Sequence, residues 1–131
     1  MKLLVDSDFL VALYKPADSN HLKAVEVFKK IEHELVLVAL NLVFQESTTV
    51  VSKQMGMIDA RKFFNSINKL ITEKLSLDQE LEIQSWRLFF KQTKKGSSFI
   101  DCANLAVVER YKLDGVLSFD EFYPEKLMVT A

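Results

Sequence analysis

Three short apolar runs, at residues 2–5, 35–40 and 115–119, are leucine-rich or β-branched and bounded by polar residues. Runs of that length and composition read as buried strands. Between them lie longer stretches in which apolar residues recur at helical spacing, as Leu22, Val25, Phe28 and Ile31 do within residues 20–32. Similar patterns span residues 42–53, 58–71, 78–92 and 98–112. Buried strands separated by amphipathic helices form a parallel sheet, because parallel neighbours need crossover connections and those connections cover the faces. The expected fold class is therefore α/β, with helices on both faces. Weaker strands are expected at residues 73–77 and 126–130. Only three Gly and two Pro are present, which favours long helices joined by short connections.

A chain of 131 residues is expected to form one domain, residues 1–131. Seventeen Lys and Arg against eighteen Asp and Glu leave a net charge of −1, so any contact with nucleic acid has to be local. The single cysteine, Cys102, has no intrachain partner, and His21 and His33 have no cysteines at zinc-ligand spacing. The apolar run Leu3-Leu4-Val5 is cut short by Asp6, so no secretory signal is expected and a cytoplasmic location is. No apolar stretch approaches the ~20 residues of a membrane-spanning helix. The glycine motifs of serine hydrolases, P-loops and dinucleotide folds are absent.

In a parallel α/β sheet the carboxyl ends of the strands gather at one edge, where ligands bind. Asp6 ends the first strand, Glu46 lies early in the helix after the second, Asp101 opens the helix before the 115–119 run, and Asp120 ends that run. Each has a plain alternative. Asp6 and Asp120 suit strand-end turns. Asp101 follows Ser98 at capping-box spacing, and an acid in a first helical turn is favoured by the helix dipole.

Glu46 is different, because its helical neighbours Leu42, Val43, Thr49 and Val50 make a mostly apolar face with no Lys, Arg or His one turn away. A buried carboxylate there has to pair, take up a proton or bind a metal. Two unit charges ~4 Å apart repel by about 4 kcal/mol at an effective dielectric of 20, so converging acids call for a cation. Oxygen-only ligation selects a hard ion, Mg²⁺ or Mn²⁺, and hence phosphoryl-transfer or hydrolytic chemistry.

The segments Leu3-Leu4-Val5-Asp6-Ser7-Asp8-Phe9-Leu10, Glu46 in its helix, Ser98-Phe99-Ile100-Asp101-Cys102-Ala103 and Leu117-Ser118-Phe119-Asp120 resemble the PIN-domain nucleases, and among them the VapC-type toxins. The resemblance spans nearly the whole chain. It implies a Rossmann-like sheet of strand order 3-2-1-4-5, with metal binding at Asp6, Glu46, Asp101 and Asp120. Ser7 and Ser118 fill positions that are commonly Ser or Thr, from which a hydroxyl orients carboxylates or metal waters. Asp8 departs from the small polar residue often found there and reads as a cap for a helix beginning at Phe9. The activity implied is hydrolysis of an RNA phosphodiester, with water attacking phosphorus in line with the leaving oxygen. A cognate antitoxin and a homodimer are implied as well.

Other residues are open to two readings. Asn104, one turn from Asp101, suits either contact with a metal water or substrate, or a satisfied place at the core margin. Lys94 and Lys95, with Lys91, precede the Asp101 helix and suit either phosphate contacts or a solvated surface. Trp86, Phe89 and Phe90 suit packing first and base stacking second. Cys102 reads as a small buried residue. Two rival functions remain at this stage: a PIN-like fold that binds RNA or protein without cutting, and a phosphoacceptor receiver domain. The receiver requires an aspartate after a middle strand, where this chain has Leu40-Asn41.

Overall fold

The computed structural model describes residues 1–31, 35–93 and 96–129. Its sheet is parallel throughout, built from β1 (Lys2–Val5), β2 (Val36–Leu40), β3 (Glu73–Leu75) and β4 (Gly115–Leu117) in the order β3-β2-β1-β4. β1 is central because it is apolar on both sides: Leu3, Leu4 and Val5 are fully buried. Leu3 pairs with Leu37 on one flank and with Gly115 on the other. Gly115 also admits a close approach, since a Cβ there would stand 2.8 Å from the Leu127 carbonyl oxygen.

Among the described residues six α-helices pack around the sheet: α1 (Ser7–Tyr14), α2 (His21–Ile31), α3 (Asn41–Met55), α4 (Met57–Leu70), α5 (Gln79–Lys91) and α6 (Phe99–Tyr111). α4 shows how periodicity becomes packing. It buries Ala60, Phe63 and Ile67, spaced by three and four residues, and Tyr14 of α1 meets Phe63 edge-on at 5.4 Å. Gly56 separates α3 from α4 with φ at +92°, a conformation that costs a side-chain-bearing residue energy. α6 buries an unbroken stretch, Cys102 through Val108.

The expected α/β class and PIN-like arrangement hold, and the order 3-2-1-4 is found. The fifth strand does not form among the described residues. Pro124 is followed by a 3₁₀ turn, Glu125–Leu127, and one parallel bridge joins Met128 to Val116. Proline locks its own φ and donates no hydrogen bond, so pairing begins only beyond the turn. The first helix also differs from expectation. It starts at Ser7 rather than Phe9, and its N-cap is Asp6, whose side chain accepts from the Ser7 amide.

Candidate active site

Parallel pairing of β1 with β2 and β4 brings their carboxyl ends to one edge. α1 and α3 start directly after β1 and β2, so Ser7 and Glu46 face that edge. α6 precedes β4, which puts its amino end and Asp101 there too. The result is an open cavity of about 370 Å³ lined by Asp6, Ser7, Asp8, Val11, Asp18, Asn20, Glu46, Val50, Gln54, Asp101 and Asp120. All four sequence-selected acids line it, although they come from segments far apart in the chain. Among the described residues no lysine or arginine does.

Asp6 is almost fully buried and is held by neutral donors. Its Oδ1 accepts from the Ser7 amide at 2.8 Å and Asn104 Nδ2 at 3.3 Å, and its Oδ2 accepts from Ser118 Oγ and Tyr123 Oη, both at 3.0 Å. Burial raises its pKa more than these donors lower it, and the charge of Asp120 adds to the rise. A carboxylate has about four lone-pair sites. The Ser118 hydroxyl has one proton, which Asp8 also claims at 3.2 and 3.3 Å, so the proton satisfies Asp6 or Asp8 but not both.

Glu46 is half-buried and takes a 2.5 Å hydrogen bond from Ser7 Oγ. Its partner is thus a hydroxyl from another element, which sequence spacing along α3 does not reveal. Asp101 forms the capping box: its amide donates to Ser98 Oγ, and its Oδ2 accepts from the Ser98 amide, both at 3.2 Å. Capping and facing the cavity are compatible, because Oδ2 serves the helix while the side chain borders the acids. Burial, then the charges of Asp6 and Asp120, push Asp101 up to about 6. Asp120 keeps its turn role as well, accepting from the Phe122 amide at 2.9 Å.

Asn104 is fully buried and does not line the cavity. Its amide donates to Asp6 and to Tyr123 Oη at 3.1 Å, while its Oδ1 has no partner among the described residues. Ser118 Oγ also accepts from the Asp120 amide at 3.0 Å, a local bond in the turn after β4. Cys102 is buried, and burial together with Asp101 raises its pKa, the opposite of an activated nucleophile. Lys91 ends α5 and is exposed. Lys94 and Lys95 lie outside the described residues.

Two site residues escape sequence reasoning. Asp8 is not a helix cap: its carboxylate reaches across to the Phe119 amide at 3.0 Å and to Ser118. Burial, then the negative charge of Asp6, push it up to about 7. Tyr123 is buried with its hydroxyl on Asp6. Only its place three residues after Asp120 hints at this.

Among the described residues no three carboxylate, imidazole or thiolate groups stand close enough to enclose an ion by themselves. The acids line a cavity rather than meet at a point. That donor set fits a hard divalent ion, which is commonly bound through one or two carboxylates while keeping several waters. None of the four acids pairs with a lysine or arginine among the described residues, so no such cation offsets the charges of Asp6 and Asp120 felt at Asp101.

The parallel 3-2-1-4 sheet with acids at its carboxyl edge is a PIN-like fold. Among solved structures, the chain is similar to Mycobacterium tuberculosis VapC20, a sarcin-ricin loop cleaving toxin, with a TM-score of 0.79 and 23% identity over 91% of this chain and 90% of that one. It is also similar to a chain of a toxin-antitoxin complex from Klebsiella pneumoniae, with a TM-score of 0.64 and 14% identity over 98% of this chain and 96% of that one. No protein-family model matches the sequence, and no curated protein does. No helix among the described residues is long and apolar enough to cross a membrane.

Proposed function

We propose that the chain is a Mg²⁺- or Mn²⁺-dependent endoribonuclease of the VapC toxin type. The observation that carries this reading is the one cavity into which Asp6, Glu46, Asp101 and Asp120 are gathered, with no lysine or arginine among the described residues of its walls. Shared fold with a toxin that cleaves the sarcin-ricin loop supports it.

In this reading Asp6 and Asp101 hold the ion, with Glu46 next and Asp120 acting through water or at a second ion. A divalent ion supplies charge neutralisation for the phosphate and a more acidic water. Ser7 fixes Glu46 while Ser118, Tyr123 and Asn104 fix Asp6, so the carboxylates are oriented before substrate arrives. Lys94 and Lys95 are the proposed phosphate contacts, flanking the acids in sequence. The K. pneumoniae neighbour supports a protein antitoxin as partner; a homodimer and a cytoplasmic location are part of the same proposal.

The test is cleavage of single-stranded RNA with Mg²⁺ or Mn²⁺, with chelator, and with Asp6→Asn and Asp101→Asn. Cutting only by wild type with metal supports the nuclease. Metal binding and RNA binding without cutting would favour a silent PIN-like binding module instead.

A further inference from the structure

The cavity reaches well beyond the acids. Glu46, Val50 and Gln54 lie four residues apart on α3, so the wall they form runs about 12 Å along the helix. α1 runs beside it, and the two helices are tied at both ends. Ser7 bonds Glu46 at the acidic end, and Lys15 Nζ bonds Gln54 Oε1 at 3.0 Å at the other. Between the ties the walls are apolar, with Val11 from α1 and Val50 from α3.

The far end is polar in a particular way. The Asn20 side-chain amide has no hydrogen-bond partner among the described residues. Gln54 commits its oxygen to Lys15 and keeps its amide N–H groups free. Asp18 Oδ1 accepts from the Asn20 backbone N–H at 2.8 Å, leaving Oδ2 available. Free donors and free acceptors thus stand together beyond two apolar surfaces. At about 370 Å³ the space falls in the range of roughly 300 to 1,000 Å³ that takes small organic ligands, more than a hydrated ion needs. A nucleobase has the matching chemistry: apolar faces and an edge that both donates and accepts. Unstacked RNA bases are read in this way.

The geometry points to a base-reading subsite: Asn20, Gln54 and Asp18 hydrogen-bond the edge of a nucleobase beside the scissile phosphate, with its faces against Val11 and Val50. This rests on the nuclease reading and extends it, since it makes these residues the determinants of cleavage preference. A protein segment would be drawn to the acids by cationic groups but has no need of two free amides at the far end.

The experiment follows cleavage of one RNA containing every dinucleotide step, comparing wild type with Asn20→Ala and Gln54→Ala. Rates are read as ratios between sites in the same tube. A good amide–base pair discriminates by about tenfold or more, so each variant is expected to flatten the preference at one flanking position by about that factor. A second arm measures binding of short single-stranded oligonucleotides of each base to Asp101→Asn and to the same variant carrying Asn20→Ala. If wild type cuts and both variants keep its preference, the subsite is overturned while the nuclease reading stands. Should wild type cut nothing, that reading falls and the binding arm decides alone. Base-dependent binding abolished by Asn20→Ala then supports the subsite, and base-independent binding overturns it and leaves this end of the cavity to a protein segment.

Discussion

Replacing Tyr123 with Phe removes one oxygen from the most enclosed part of the site. In the structure that oxygen donates to Asp6 Oδ2 at 3.0 Å and accepts from Asn104 Nδ2 at 3.1 Å. A hydrogen bond to a charged group contributes about 1.5–3 kcal/mol, and stranding a buried donor costs about 1 kcal/mol more. Asn104 retains its bond to Asp6, and the variant no longer has to desolvate a phenol, which offsets part of the loss. The expected net destabilisation is about 2 kcal/mol near pH 7 without metal. At this size of domain that is a fall in Tm of roughly 8 °C. Urea denaturation of both proteins in chelator measures it, with an unchanged slope showing that the denatured state is unaffected. A double-mutant cycle with Asp6→Asn then assigns the effect, with a coupling of about 1 kcal/mol or more expected. A destabilisation below about 0.5 kcal/mol, or one unaltered by Asp6→Asn, would refute the view that Tyr123 acts by holding Asp6.

Other outcomes follow from the same geometry. Asp101→Asn keeps an oxygen for the Ser98 amide but removes a charge that opposes Asp6 and Asp120. The metal-free variant should unfold at or above the wild-type temperature while losing RNA cleavage by at least about a hundredfold, as expected for loss of an electrostatic catalytic group. Asp8 and Asp101 have folded pKa values of about 7 and about 6 against an ordinary 3.8. Acids raised in this way stabilise the fold fully below the ordinary value and lose that contribution as pH rises through the folded values. Metal-free protein should therefore lose thermal stability between pH 5 and pH 7.5, and saturating Mg²⁺ should reduce the loss; a rise across that window would contradict the assignment. Gly115→Ala places a Cβ 2.8 Å from the Leu127 carbonyl oxygen, so it should destabilise by about 1–3 kcal/mol in thermal unfolding.

Local chemistry made much of this architecture legible in the sequence. Leu3 to Val5 and Leu37 to Leu40 are buried whichever way their side chains point, and a parallel sheet follows. The acids were legible because each follows a strand or lies near the start of a helix at the edge that parallel pairing shares. The segment 126–130 misled, since its apolar residues suit a strand while Pro124 and the turn after it leave room for one bridge. Asp8 and Tyr123 were hidden for another reason. Their partners are 110 and 117 residues away, at contacts made only when β4 lies beside β1. Among the described residues Glu46 has no polar partner along its own helix, whereas Ser7 approaches it from α1. Asn20 and Gln54 carried no signal because exposed amides are ordinary on a surface until a cavity wall collects them.

RNA cleavage by the wild-type chain, titrated with Mg²⁺ and Mn²⁺ beside Asp6→Asn and Asp101→Asn, tests the central proposal most directly. The account predicts cutting that saturates with metal, stops with chelator and vanishes in both folded variants. Cutting that persists in chelator or in either variant would contradict it.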